Sequence, residues 1–241
     1  MPKKNLIAII AMVVSLIAAS LTLVFTVGLR VSADSAEPEW VPVSCLDIDG
    51  GVLEGFNDTG LTNYKKVSGK KYRIEVPNTV TSIGAHAFRY CSSLTSITIP
   101  SSVTSIGVCA FMDCRDLTSV TFGAGSQLTS IGESAFASCY GLTSITIPSS
   151  VTSIGAQAFD YCTGLTNITI PSSVTSIGDG VFFGWSGLTS IQVDPANTAY
   201  TSDDNANCII RKLDNCLIQG CKITVIPNTV TSIGDKAFNG C

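Results

Sequence analysis

The chain carries one histidine, His86. Nucleophilic catalysis of the Ser-His-Asp or Cys-His kind needs a base held against a nucleophile. His86 lies between Gly84 and Phe88, at a place where equivalent segments carry Cys109, Ser134, Gln157, Gly180 and Lys236. It is therefore expected to face solvent, and none of the many serines is set apart from its neighbours. Ten cysteines suggest metal or disulfide chemistry, but no Cys-x-x-Cys pair occurs and zinc is not expected. Cys91, Cys114, Cys139, Cys162 and Cys241 recur at regular spacing and read as small buried side chains. Cys208, Cys216 and Cys221 are the better disulfide candidates if the chain is exported. Asp194, Asn197, Asp203, Asp204 and Asn205 offer hard oxygen ligands, yet they match no calcium loop and serve equally as turn formers. Lys65, Lys66, Lys70, Lys71 and Arg73 form a basic run, read as a solvated loop with anionic glycans as the alternative contact. The residues thus point to no catalytic centre, no metal and no cofactor.

Export follows from the N-terminus. Lys3 and Lys4 precede the 24 mostly apolar residues Leu6 to Leu29, closed by Arg30. As a helix that stretch spans roughly 36 Å, enough to cross a bilayer. Residues 1–33 are read as a retained membrane anchor, through residues 6–29, with the rest of the chain extracellular. Cleavage after Ala33, giving a secreted protein, is the alternative, because Val31-Ser32-Ala33 resembles a signal-peptidase site. The net charge of −4 gives no bulk attraction for nucleic acid.

Internal self-similarity decides the fold. The triplet Ser-Ile-Gly recurs with its glycine at Gly84, Gly107, Gly132, Gly155, Gly178 and Gly234, at gaps of 23, 25, 23, 23 and 56. The gap of 25 reflects two extra residues in the turn from Gly123 to Gln127, and the gap of 56 an insertion. Within one unit Ile145 and Ile147 alternate with Ser144 and Thr146, the period-two mark of a half-buried strand. Pro148 ends that strand. Val151 and Ile154 point inward from a second extended segment, Gly155 permits a corner, and Ala158, Phe159 and Cys162 suit a single helical turn on the core. Such a unit buries its apolar side chains only by stacking on its neighbours. The expected fold is a repeat solenoid with a parallel β-sheet on one face and short second strands and helical turns elsewhere. Phe88, Phe111, Phe136, Phe159, Phe182 and Phe238 should form one file, and the five recurring cysteines another, with Trp185 filling the gap in it.

The units Leu-x-x-Ile-x-Ile-Pro-x-x-Val-x-x-Ile-Gly-x-x-Ala-Phe-x-x-Cys, starting at Leu94, Leu142 and, with substitutions, Leu165, resemble the BspA-like bacterial surface leucine-rich repeat family. The resemblance covers roughly residues 74–241. It implies a cell-surface or secreted protein engaged in adhesion and protein or matrix binding, without catalytic residues or cofactor. The commoner leucine-rich repeat carries an Asn in the turn after its strand, whereas here Ser102, Ser150 and Ser173 stand near that place.

Residues 34–42 read as a stalk and 43–73 as an N-terminal cap whose hairpin turns at Asp49-Gly50-Gly51. The solenoid then occupies 74–241, with a hairpin insertion at about 194–224. With Cys241 closing a turn and no strand after it, a truncated product is expected, or else a partner that completes the stack. The outward residues of the parallel sheet are the candidate binding face: Ser96, Thr98, Ser119, Thr121, Ser144, Thr146, Asn167, Thr169, Ser190 and Gln192. After a first rung of Arg73 and Glu75 this face is hydroxylated, uncharged and without aromatic or Arg anchors, which favours weak multivalent contact with an extracellular protein or glycan. The alternative role is that of a spacer, or of a fragment of a longer surface protein whose binding region lies beyond residue 241.

Overall fold

The repeat spacing translates into stacked coils in a computed structural model that describes residues 38–57, 71–202 and 206–239. The anchor or signal segment 1–33 and its Ala33 cleavage position lie outside the described residues. Among those described, no helix is long and apolar enough to cross a membrane.

A coil such as Leu94–Asp116 shows why the sequence folds this way. In the strand Leu94–Ile99, Leu94, Ile97 and Ile99 are buried while Ser96 and Thr98 face outward. After Pro100, Val103 and Ile106 are buried from the second face, with the short strand Ser105–Ile106 between turns. The glycine of Ser-Ile-Gly is required by proximity, not by its own dihedral angles. A Cβ on Gly107 would stand 2.6 Å from the Ala85 backbone nitrogen, and one on Gly155 2.5 Å from that of Glu133. Coils therefore touch backbone to backbone at this corner.

The third face, where the spacing suggests a helical turn, is a run of tighter turns. Its N–H groups bond three residues back, as Cys91 does to Phe88 and Cys162 to Phe159. A left-handed residue twice interrupts the run, at Gln157 (φ 56°) and Tyr161 (φ 53°) in one coil. That alternation turns every second N–H toward the next coil: Gln157, Phe159 and Tyr161 donate to Asp179, Val181 and Phe183 carbonyls at 3.0, 3.0 and 2.8 Å. A continued α-helix would have kept these donors to itself.

The side chains inside are stacked accordingly. Phe88, Phe111, Phe136, Phe159 and Phe182 lie with ring centroids 5.0–6.1 Å apart and planes within 15°. Phe238 leaves this file and packs on a small second core of Ala206, Cys208, Ile210, Leu217 and Ala237. The cysteine file is buried and also hydrogen-bonded. Cys114, Cys139 and Cys162 donate S–H to the carbonyls of Phe88, Phe111 and Phe136, one coil back, at 3.1–3.2 Å. Trp185 continues the file by donating its indole N–H to Phe159 O. Hydroxyls repeat the same theme. Ser102, Ser150 and Ser173 donate to the carbonyls of Val80, Leu128 and Val151 at 2.6–2.7 Å.

At the N-terminus the hairpin Leu46–Asp49 with Val52–Phe56 caps the stack, its second strand pairing in parallel with Ser82–Ile83. Glu39–Trp40, within the segment read as a stalk, instead forms a strand parallel to Tyr72–Arg73. The second strands run as one uninterrupted sheet from that hairpin to Ser176–Ile177. The insertion forms an antiparallel hairpin of Ile209–Arg211 with Cys216–Gln219, flanked by Tyr200–Thr201 on one side and Ser232–Ile233 on the other.

Candidate functional site

The outward face expected to be one continuous sheet is divided. Glu39–Trp40, Tyr72–Glu75, Leu94–Ile99 and Ser119–Phe122 form one parallel sheet, and Asn167–Ile170 pairs with Ser190–Val193 in another. The segment between them, with Ser144 and Thr146, is held on this side by a single bridge from Ser144 to Ser119. The cause is the lengthened turn after Phe122, whose two extra residues carry the backbone away before the next coil begins. The second-strand sheet and the phenylalanine file stay closed at that level, so the coils splay on the outward side only.

Ser96, Thr98, Ser119 and Thr121 thus stand on the first sheet, in register as pairs Ser96–Ser119 and Thr98–Thr121. Asn167, Thr169, Ser190 and Gln192 stand on the second, paired Asn167–Ser190 and Thr169–Gln192. Ser144 and Thr146 are exposed between the two. Beside Thr146 the splay opens a cavity of about 440 Å³, lined by Thr121, Phe122, Ser126, Thr146, Pro148 and Ser149 among others, none of them charged. Its chemistry is that of hydroxyls and main-chain amides around one aromatic ring.

A second surface escaped sequence reading because its members occupy variable positions. Along the turn side stand the exposed rings of Tyr90, Tyr140 and Tyr161. Arg89 lies 4.7 Å from the Tyr90 ring centroid, Arg115 5.8 Å from that of Tyr140, and Lys236 5.5 Å from that of Phe183, within cation–π range. Tyr161 meets Phe183 edge to face at 5.4 Å. The signal in the sequence, Lys236 apart, is an aromatic or basic residue five to eight places after the repeat glycine. Asp160, on the same side, has one carboxylate oxygen buried without a hydrogen bond, and burial raises its pKa to about 6.

The remaining sequence candidates are placed as follows. His86 is exposed at a left-handed corner, φ 61°. Burial pushes the Cys139 and Cys162 thiols well above the ordinary thiol range, so neither is a nucleophile. Cys216 and Cys221 are buried thiols, not members of a disulfide. Of the suggested oxygen ligands, Asp203, Asp204 and Asn205 lie outside the described residues, and Asn197 is fully committed to the backbone. Its amide donates to Pro171 O and Val174 O at 2.8 and 2.9 Å, and its Oδ1 accepts from Ala199 and Tyr200 N–H at 2.8 Å. By register it stands where Val174 stands in the coil before, and its amide reaches the carbonyl one coil back that Ser102, Ser150 and Ser173 reach from the preceding position. Among the described residues no group of three His, Cys, Asp or Glu side chains is arranged to hold a metal. Of the basic run, Lys71 pairs with Asp116, and the Arg73 guanidinium lies 4.5 Å from the Trp40 ring centroid. Lys65, Lys66 and Lys70 lie outside the described residues.

Three solved bacterial structures share this architecture. A leucine-rich cell surface protein of Faecalibacterium prausnitzii is 30% identical over 83% of this chain and 66% of its own, with a TM-score of 0.54. A leucine-rich repeat protein of Eubacterium ventriosum is 26% identical over 76% of this chain, with a TM-score of 0.61. A leucine-rich repeat protein of T. pallidum is 27% identical over 64% of this chain and 71% of its own, with a TM-score of 0.54. The chain spans about half (48%) of the length of the Eubacterium protein. No curated protein matches the sequence. The BspA-type leucine-rich repeat region profile matches residues 64–189, 122–217 and 212–241, in six copies. With that repeat covering most of its length and its coils stacked as described, the chain belongs to the BspA-type leucine-rich repeat family.

Proposed function

We propose that this chain is a surface-displayed binding module that makes adhesive contact with an extracellular protein or glycan and performs no catalysis. The observation that carries this reading is the outward face of exposed hydroxyls, interrupted once by the uncharged 440 Å³ recess beside Thr146. Such a recess offers hydrogen bonds and one ring to a neutral partner group, and no charge to select an ion. A face that repeats Ser and Thr over several coils adds further weak contacts, so strength comes from avidity. The likeness to a cell surface protein of Faecalibacterium prausnitzii supports a place outside the cell. Residues 6–29 would then hold the chain to the membrane, or cleavage after Ala33 would release it.

The test compares cells displaying the full chain with cells displaying residues 1–37 alone, for attachment to immobilised matrix proteins and neutral glycans. Attachment confined to cells with the full chain supports the reading, and equal attachment rejects it. A spacer role is favoured by the chemical uniformity of the face from Ser96 to Gln192, where no Arg or Trp anchor of the kind that usually carries interface energy stands. It predicts that a flexible linker of equal span replaces residues 38–239 without loss of attachment.

A further inference from the structure

Each coil passes its turn-side donors to the next coil, and at one level this hand-over fails. By the register of the earlier coils, the N–H groups of Gly180, Phe182 and Gly184 should each find a carbonyl in the following coil. Gly184 N–H does so, reaching Asn239 O at 3.3 Å. The turn Gly234–Asn239, after the insertion, therefore stands in the place of the next coil. Gly180 and Phe182 N–H meet no acceptor among the described residues, and Ala237 O, the counterpart of Phe182 N–H, is taken by Gly220 N–H at 2.7 Å. The edge of the second strand ends in the same way. Thr152 and Ile154 carbonyls each receive an N–H from the next coil at 2.9 Å, but those of Thr175 and Ile177 receive none among the described residues. Ile177 N–H alone is covered, by the hydroxyl of Tyr200 at 2.9 Å.

The two coils are thus joined at Gly184 and open toward Gly178, like a wedge. Its volume is about 410 Å³, with Ile177, Gly180 and Phe182 on one wall and Ile218, Asp235 and Lys236 on the other. The groups left bare in it are two main-chain donors and two main-chain acceptors in the order one coil presents to another. Charge at the lips is uneven. Arg211 is held by Asp214 through two bonds, at 3.0 and 2.7 Å, and Lys236 leans over the Phe183 ring. The exposed carboxylates of Asp179 and Asp235 enter no described ion pair.

We propose that this wedge is a docking site for an extended peptide with a basic residue, which takes the place of the displaced coil. Peptide carbonyls accept from Gly180 and Phe182 N–H, and a peptide N–H donates to Ile177 O. The basic side chain reaches Asp179 or Asp235. This is strand addition to an open edge, at a level where the protein's own backbone leaves the edge unmet. The site is separate from the hydroxyl face and does not rest on its function.

The test titrates the full chain, in detergent micelles, with a synthetic ten-residue peptide copying Val151–Asp160 with Lys at the Gln157 place. The expected result is a shift of the Gly180 and Phe182 amide resonances, together with a change in the fluorescence of Trp185, whose ring lies 4.9 Å from Phe182. Gly180→Asn is the discriminating variant. Asn tolerates the left-handed backbone there, the added Cβ has room, and its side-chain oxygen caps the N–H two residues on. It should weaken binding about fivefold or more, the worth of one hydrogen bond, while the thermal midpoint holds. Asp179→Asn with Asp235→Asn should weaken binding and flatten its salt dependence. Amide shifts confined to the last coil, Ser232–Asn239, or unchanged binding by Gly180→Asn, would overturn the proposal.

Discussion

Replacing the buried Asn197 by Ala should destabilise the chain strongly. Asn197 is 1% exposed, and its side chain makes four hydrogen bonds to backbone groups of two coils. Two of the four, to Val174 O and from Tyr200 N–H, are fully buried. Stranding a buried partner costs about 1.5 kcal/mol and a half-exposed one about 0.5 kcal/mol, which gives about 4 kcal/mol in all. In a folded unit of roughly 200 residues that lowers the thermal midpoint by about 10 °C. Asn197→Asp is the sharper variant. It keeps Oδ1 for Ala199 and Tyr200 but turns an acceptor, charged at neutral pH, toward the carbonyls of Pro171 and Val174. Burial and those carbonyls raise the folded pKa of the new carboxyl above its unfolded value. Its destabilisation is therefore full at pH 7 and shrinks as pH falls toward 4. Thermal unfolding by circular dichroism reads both variants, and hydrogen exchange at the Ala199 and Tyr200 amides reports whether the loss is local. A loss below 1 kcal/mol in Asn197→Ala, or equal behaviour of the two variants across pH, would refute the assignment of this side chain as the tie between the regular coils and the insertion.

Other expectations follow from the same contacts. Gly155→Ala forces the coil off the Glu133 backbone and should cost about 1–3 kcal/mol, measured by denaturant unfolding. Gln157→Gly, at φ 56°, relieves a left-handed side-chain residue and should raise stability by up to about 1 kcal/mol in the same assay. Cys139 and Cys162 should resist iodoacetamide at pH 8 in the native chain and react after denaturation, as mass spectrometry can show. Asp160→Asn should raise the thermal midpoint at pH 7.5 but not at pH 4. The folded carboxyl, at about 6 against 3.8 when unperturbed, makes the charged form the unfavourable one in the fold.

The long strands, the stacking register and both hairpins were legible because they rest on local signals. Alternating Ile and Thr, Pro after the strand, and Asp49-Gly50-Gly51 each act within a few residues. The consequence of the two residues added near Gly123 was not legible, although the addition itself was. Whether a longer turn bulges outward or parts the coils depends on the neighbouring backbone, and here the outward sheet parts beside Thr146. The left-handed corners were hidden because residues as unlike as His86, Cys109 and Gln157 occupy them, each held there by the N–H it donates to a carbonyl of the next coil. Cysteine recurrence suggested burial alone, since spacing does not show that Sγ aims at a carbonyl one coil back. Asn197 looked like one turn former among several. Only its depth shows it standing at the buried place of Val174 while making the bond to the coil before that Ser173 makes from the neighbouring position.

Binding on the hydroxyl face at the place where it parts, as proposed, is probed by Thr146→Trp. Thr146 is exposed on a segment tied to its neighbours by one bridge, so the larger ring enters the recess without breaking a ladder. Cells displaying this variant should attach to matrix proteins and neutral glycans no better than cells displaying residues 1–37, while the purified variant keeps the thermal midpoint of the parent. Undiminished attachment by a variant shown to be folded would place binding elsewhere than on this face.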